Sequence, residues 1–371
     1  MSTSLSNQQH YLHVFSSFCA AGAQVRAAAL MRGFGAACRH TVVSMDGRAG
    51  AAGLAGDAEI RLVSYQLPGG PAAGTRFLRA LLKNEQPDLL LSYNWATFEA
   101  VIAARSLGWR RLVHHEDGFN MDEAKRLKLR RNWARRLLLK NADVVVPSRR
   151  LETIARDTWR LQRLFFIPNG IDAAAFGRDR VLGTALRESL GIPAEALVVG
   201  AVGHLLPVKN YSRLIRIIAT IDIPVQLLLV GDGAERAKLE ALAKSSGITA
   251  HFTGHMTDVR AAYSTFDIFA ISSDSEQQPV SLLEAMAAGL PVCGTDVGDV
   301  KSTLPDSGHE FVVPLGPDTE NRLAGMISQL AKDAGCRAAL GAANRRRVQE
   351  DYSEIAMLAA YARVYEAAQS R

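Results

Sequence analysis

A chain of 371 residues, 48% hydrophobic and 22% charged, is long enough for two domains that each bury a core, and too apolar for its bulk to be disordered. No apolar run reaches the ~18 residues of a membrane helix, and the polar start MSTSLSNQQ lacks the basic and then apolar layout of a secretory leader, so a cytoplasmic location is expected. The net charge of +6 hides an asymmetry, with 24 Lys and Arg against 14 Asp and Glu up to Asp172 and 19 against 23 beyond it, so the first half is expected to face something anionic.

In the first half, apolar runs of strand length at His10 to Ser16, His40 to Met45, Leu89 to Tyr93, Arg111 to Glu116 and Asp143 to Ser148 each precede a helix-like segment. This alternation predicts a mainly parallel sheet covered by helices on both faces. After the first run, Gly22 opens an Ala-rich helix, a place where a glycine lets backbone approach a ligand. The run ending in His114-His115-Glu116-Asp117-Gly118 is dense in titratable groups at the carboxyl end of a strand, where ligands of parallel sheets bind. Adjacent histidines on a strand point to opposite faces, so at most one faces the ligand-binding crevice. A histidine packed under the sheet, or a plain Asp-Gly turn, is the alternative.

Residues 124 to 141 carry eight Lys or Arg and no acid. Helical spacing sets Trp133 beside Leu137 and spreads Arg130, Arg131, Arg135 and Arg136 round the other side, the pattern of a helix lying on an anionic membrane. A solvated face or a nucleic-acid patch would also be basic. The stretch LFFIPNGID then closes the first domain, taken as 1–172, with Asn169-Gly170 as a turn.

The second domain, 173–350, repeats the alternation, and 351–371 reads as a helix crossing back to the first domain. Leu197 to Gly203 is a strand whose loop, Gly203-His204-Leu205-Leu206-Pro207-Val208-Lys209, enters a helix. Val225 to Gly231 leads into the turn Gly231-Asp232-Gly233. Asp267 to Ser273 is a short strand, and Ser281 to Ala288 is rich in helix formers after Pro279. Glu276 therefore falls in the loop and Glu284 on the first turns of the helix. The amides of Val280, Ser281 and Leu282 lie at a helix start, where unpaired N–H groups and the macrodipole favour a phosphate. A capping box, Ser281 with Glu284, is the competing explanation of that carboxylate. Cys19, Cys38, Cys293 and Cys336 show no metal-ligand spacing.

Together, Glu276 and Glu284 with seven residues between them, the small-residue helix EAMAAG, the strand PVCGTD and the junction IPNGID resemble the retaining glycosyltransferases of family 4. The resemblance implies a GT-B fold: two facing, doubly wound Rossmann-like domains with a cleft between them, nucleotide sugar on the second and acceptor on the first. It implies that Glu284 holds the ribose, that Glu276 meets the donor sugar, and that Lys209, with His204 where the family has Arg, clamps the diphosphate. It also places a histidine near the sugar, here His115 with Asp117 as the alternative, and puts Gly22 and the Gly231-Asp232-Gly233 turn beside the donor. Gln277-Gln278-Pro279 stand where the family has a Gly, aromatic, Gly run, and Gln24 where it has an acidic residue. Without an Asp-x-Asp pair, no metal or other cofactor is expected. The activity implied is hexosyl transfer from a nucleotide-diphosphate sugar to a lipid-linked saccharide or glycolipid of the cell envelope, by an enzyme peripheral on the inner membrane face. The rival readings are a nucleotide-sugar epimerase of similar plan, a nicotinamide-dependent dehydrogenase and a nucleic-acid-binding protein. A complete G-x-G-x-x-G is lacking for the dehydrogenase, and the nucleic-acid reading leaves Glu276, Glu284 and Lys209 without a role.

Overall fold

A computed structural model describes residues 8–65, 70–119, 123 and 128–371. The first seven residues of the polar start and residues 124–127 of the basic segment lie outside the described residues. Two compact units are formed, one from Met1–Asn169 with Ile355–Arg371 and one from Gly170–Glu354.

The first unit contains β1 (Gln9–Phe15), α1 (Gly22–Phe34), β2 (Cys38–Ser44), β3 (Glu59–Ser64), α2 (Gly70–Glu85), β4 (Leu89–Tyr93), α3 (Phe98–Ser106), β5 (Leu112–His115), α4 (Leu129–Leu138), β6 (Asp143–Val146), α5 (Arg149–Asp157) and β7 (Leu164–Phe166). Its sheet is parallel, in the order β3-β2-β1-β4-β5-β6-β7. The five apolar runs of the sequence became β1, β2, β4, β5 and β6. The edge strand β3 escaped the sequence reading because Glu59, Arg61, Leu62 and Ser64 are exposed, so it presents no continuous apolar run.

In the second unit follow α6 (Arg180–Leu190), β8 (Leu197–Val202), α7 (Tyr211–Ala219), β9 (Val225–Val230), α8 (Arg236–Ser245), β10 (Ala250–Phe252), α9 (Arg260–Thr265), β11 (Ile268–Ile271), α10 (Val280–Ala287), β12 (Val292–Thr295), α11 (Val300–Thr303), β13 (Val312–Val313), α12 (Thr319–Lys332) and α13 (Ala334–Asp351). Parallel pairing gives the order β10-β9-β8-β11-β12-β13. Strands β8, β9, β11 and β12 are almost continuously apolar because helices cover both sheet faces, with separate clusters built round Leu228, Phe269 and Leu282 and round Val199, Leu227 and Ile268. Strand order reverses between β8 and β11, and ligands of such sheets bind beyond the carboxyl ends of the strands at that switch point.

Helix α14 (Glu354–Gln369) contributes Met357, Tyr361, Val364, Tyr365 and Ala368 to the core of the first unit, against Tyr11, Phe15, Tyr93 and Val113. Under it runs a buried polar chain. His40 Nδ1 lies 3.0 Å from His13 Nε2, His13 Nδ1 lies 3.0 Å from the Tyr93 hydroxyl, and His115 Nε2 lies 2.9 Å from the Tyr365 hydroxyl. Burial, reinforced by the clustering of histidines round His13 and by Arg26 beside His115, holds both rings well below the ordinary imidazole range, and burial beside His10 brings His40 down to about 4.

These rings are neutral in the folded unit, whereas an unfolded histidine takes up a proton near pH ~6.5. The unfolded state then binds more protons as pH falls, so stability is intact above about pH 6.5 and is lost progressively below it. All four tryptophans, Trp95, Trp109, Trp133 and Trp159, belong to this unit, so their fluorescence reports its unfolding alone. The urea midpoint read this way is expected to hold from about pH 8 to 7 and to drop steadily between about 6.5 and 5. A midpoint unchanged across that range would contradict the assignment.

Candidate functional site

At the switch point of the second unit, the loop after β8 and the loop after β11 are tied into one piece. Asn210, in the left-handed region at φ 47°, caps α7 through its side-chain oxygen on the Arg213 amide (3.2 Å). Its amide nitrogen reaches both Asp274 oxygens at 3.2 Å. Arg213 donates to Asp274 Oδ1 at 2.8 Å and to the Ser272 carbonyl at 2.7 Å. The Asp274 amide bonds the Val208 carbonyl at 2.8 Å, and Ser272 Oγ bonds that of Lys209 at 2.9 Å.

Lys209, last residue of a 3-10 turn, is thereby aimed across the strand ends, and its Nζ lies 2.6 Å from Glu276 Oε1. Ser273 Oγ donates to the same oxygen at 2.6 Å. A cavity of about 10 Å³, room for about one water molecule, is bounded by Lys209, Tyr211, Ser273, Glu276 and Ser281. The Glu276 loop is held from behind by Gly298, at φ 59°, where a Cβ would overlap the carbonyls of Glu276 and Gln277, and by the Asp299 amide on the Gln277 carbonyl at 2.7 Å.

Helix α10 starts at Val280 with Pro279 at its N-cap and no side-chain cap, so the Ser281 and Glu284 capping box is not formed. Val280 and Ser281 amides have no intrahelical acceptor, while the Leu282 amide is bonded to the Pro279 carbonyl at 3.1 Å. Glu284, half-buried one turn in, instead accepts a 2.6 Å hydrogen bond from the Tyr263 hydroxyl. Tyr263 is itself 1% exposed and packed among Phe176, Phe266 and Phe269. Desolvation pushes the Glu284 carboxyl up to about 7, and the Tyr263 bond offsets only part of that. Gly203 and the Gly231-Asp232-Gly233 turn form the adjacent wall: the Leu205 amide bonds the Asp232 carbonyl at 2.9 Å, and a Cβ on Gly231, at φ 133°, would overlap the Gly203 carbonyl. The His204 side chain is exposed and its carbonyl accepts the Leu206 amide at 2.8 Å. Among the described residues, no group of three His, Cys, Asp or Glu side chains is placed to hold a metal ion.

In the first unit, the expectation that the His115 side chain faces a ligand at the strand ends is corrected. The ring is fully buried, with Nε2 on the Tyr365 hydroxyl and Nδ1 3.2 Å from the Ser92 carbonyl, and it stacks on Tyr93 at 4.4 Å. His114 does point to the opposite face, 2.9 Å from Ser92 Oγ, and is buried too. Asp117 is the group of that loop at the strand ends. Its amide donates to Asn94 Oδ1 at 2.7 Å, and Arg26 of α1 reaches its Oδ1 at 2.5 Å and Asn169 Oδ1 at 3.1 Å. Gly22 is exposed at the first position of α1, and Gln24 bonds the Ser17 carbonyl at 2.8 Å.

Residues 184–347 match the family model described as Glycosyl transferases group 1, and residues 20–175 match the one described as Glycosyltransferase Family 4. The chain belongs to glycosyltransferase family 4. Among its relatives is the lipopolysaccharide core biosynthesis glycosyltransferase LpsD of Rhizobium meliloti, 30% identical over 190 residues that make up 51% of this chain and 54% of LpsD. Another is the D-inositol 3-phosphate glycosyltransferase of Xylanimonas cellulosilytica, 30% identical over 243 residues, 60% of this chain and 57% of that one. The chain spans about half the length of the curated relatives it matches. The crystal structure of Anabaena HepE in complex with UDP and glucose superposes with a TM-score of 0.82 over 97% of this chain and 100% of HepE at 19% identity. That likeness establishes the fold, of GT-B type.

In the basic segment of this family 4 chain, the expectation that Arg131 and Arg135 join Arg130 and Arg136 on an outward face is corrected. Arg135 does not face outward: it is fully buried, bonded to Glu116 (3.0 Å) and Glu123 (3.3 Å) and stacked over Trp159, Trp95 and Phe119 at 4.9 to 5.4 Å. Arg131 also turns inward, to Glu123 at 2.8 Å and over Trp95 at 5.3 Å. Burial raises the Glu116 carboxyl, but Arg135 and His114 more than offset this and hold it below the usual range. What α4 presents to solvent is Leu129, Trp133 and Leu137, at 74%, 66% and 65% exposure. Exposed Lys128, Arg130 and Lys140 and half-exposed Arg136 flank this stripe, the last over the Trp133 ring at 5.3 Å. Sequence reasoning missed Arg26, Asn94, Arg213, Tyr263 and Gly298. Only Gly298, in the Val-Gly-Asp turn after a strand, carried a local signal, because the others act through long-range contacts.

Proposed function

We propose that this family 4 chain transfers a hexosyl group from a nucleotide-diphosphate sugar to a saccharide acceptor. The observation that carries the reading is the cavity at the switch point of the second sheet that Lys209, Glu276 and Ser281 at the start of α10 share, with Glu284 one turn further along that helix. In this reading the ribose hydroxyls donate to Glu284, the α10 amides and Lys209 take the diphosphate, and Glu276 takes hydroxyls of the sugar. Charge that builds on the departing diphosphate is stabilised by Lys209 and the helix end, with no metal ion. UDP with glucose in HepE supports a nucleotide-sugar donor.

Glu284 must be ionised to accept from two hydroxyls, and its carboxyl titrates at about 7. Affinity for the nucleotide is therefore expected to rise between about pH 6 and 8. Glu284→Gln should remove that pH dependence and weaken binding by about 1.5–3 kcal/mol, as Lys209→Ala should at fixed pH. Calorimetric titration of UDP, GDP and ADP, with EDTA present throughout, checks both; binding that required a divalent ion, or that ignored both substitutions, would refute the site.

Retention of the donor's anomeric configuration belongs to the same proposal. With acceptor on the departing phosphate's own face, the phosphate oxygen takes the proton of the attacking hydroxyl as the C–O bond to the donor sugar breaks and the new one forms. Proton NMR of the first-formed product should show the donor's anomer; the inverted anomer would overturn this part.

The acceptor is proposed to be an amphiphile, a lipid-linked saccharide or glycolipid, met on the inner face of the membrane. No helix among the described residues is long and apolar enough to cross a bilayer, and support for a peripheral arrangement comes from α4, whose exposed Leu129, Trp133 and Leu137 have the layout of a helix lying in the headgroup plane. Each flanking basic residue near an anionic surface adds roughly 1 kcal/mol. Cosedimentation is expected with vesicles containing anionic lipid, weakening with salt and abolished by Trp133→Ser with Leu137→Ser. Arg135 is unsuitable for such a test, since its loss leaves the buried Glu116 without its arginine. Equal recovery in the supernatant with neutral and anionic vesicles would remove the membrane role.

A further inference from the structure

Lys209 and Glu276 are assigned by the proposed reaction to different parts of the donor, yet in this structure they are bonded to each other at 2.6 Å. We propose that Lys209 exchanges partners during the cycle: the donor diphosphate displaces Glu276 from it, and Glu276 returns to it once the sugar has left, driving out the nucleoside diphosphate. This inference rests on the donor-site assignment above.

The backbones of both residues are fixed, so the exchange asks only their side chains to move. The Lys209 amide bonds the Leu206 carbonyl at 3.0 Å and its carbonyl accepts from Ser272 Oγ. The Glu276 loop is pinned by Asp274, Gly298 and Asp299. Only a four-carbon stem and a carboxylate need to rotate, and the pair is partly solvated, with 23% and 11% of the two side chains exposed. Ser273 Oγ remains beside Glu276 Oε1, so the carboxylate keeps one donor when the lysine departs.

Electrostatics make the exchange selective. A carboxylate and a diphosphate cannot share one ammonium without like charges crowding each other. With a nucleotide sugar, the sugar hydroxyls replace Lys209 as donors to Glu276, and both anions are satisfied. With a nucleoside diphosphate alone, nothing takes the lysine's place at Glu276, and the carboxylate competes for it. The site thus favours donor over product, which matters wherever product release limits turnover.

The test measures calorimetric affinity for UDP, GDP or ADP, whichever the unmodified protein binds, in Glu276→Gln, Glu276→Asp, Lys209→Ala and the Glu276→Gln, Lys209→Ala pair. Thermal midpoints establish that each is folded. Glu276→Gln should bind the nucleoside diphosphate about three- to tenfold tighter while transferring sugar more slowly. Glu276→Asp, which keeps the charge but shortens the reach, should also bind it tighter. The gain from Glu276→Gln should vanish when Lys209 is already Ala, because the two residues then have no shared contact to lose. A gain that survives in the Lys209→Ala background would reduce Glu276 to simple repulsion and overturn the exchange. Unchanged or weaker binding in Glu276→Gln, with Lys209→Ala weakened, would overturn it while leaving the donor site intact. Should Lys209→Ala bind as well as the unmodified protein, the donor site itself fails, and the exchange with it.

Discussion

Asp274 fixes the geometry on which the second unit's site depends. Parallel strands leave their carboxyl ends as separate loops, and nothing in the sheet itself sets the distance from the loop after β8 to the loop after β11. Here one carboxylate accepts from Asn210 and Arg213 while its own amide bonds Val208. The loop bearing Lys209 and the loop bearing Glu276 consequently behave as one rigid rim. The separation of the lysine from α10, and with it the space available to a diphosphate, follows from that staple rather than from the residues that would touch a ligand.

In the first unit the equivalent ordering role falls to buried charge. Arg135 sits among three aromatic rings and two carboxylates, an arrangement in which loss of both carboxylates would strand the guanidinium in a low-dielectric interior. The consequence is rotational: α4 cannot turn about its axis, and the Leu129, Trp133 and Leu137 stripe is presented outward.

Much of this was legible in the sequence because the relevant signals are local. Strand-length apolar runs, the Pro279 start of α10 and the spacing of Glu276 from Glu284 depend on neighbours within a few residues. Helical periodicity likewise set Trp133 beside Leu137. It did not distinguish Arg135, pointing at Glu116 across the fold, from Arg136, lying over Trp133, because both are arginines on one helix and the acids that separate them sit on other elements. His115 was misread for a related reason. Alternation along β5 says that the two histidines part, but not that α14, some 250 residues away in sequence, covers the face His115 takes. Tyr263 is invisible for the same cause: a tyrosine in a short helix gives no hint that its hydroxyl will orient Glu284.

That long-range return of α14 has a bearing on how the polypeptide is made. One of the two core clusters of the first unit includes Met357, Tyr361, Val364, Tyr365 and Ala368, which leave the ribosome after everything in the second unit, whereas the second unit is one uninterrupted stretch, Gly170–Glu354. The first unit therefore cannot complete its core until the second unit has been synthesised, unlike a first domain that folds as soon as it emerges. During synthesis the face of the amino-terminal sheet that α14 packs on is covered by α1 alone, and the His13, Tyr93 and His115 chain lacks its cover until α14 emerges.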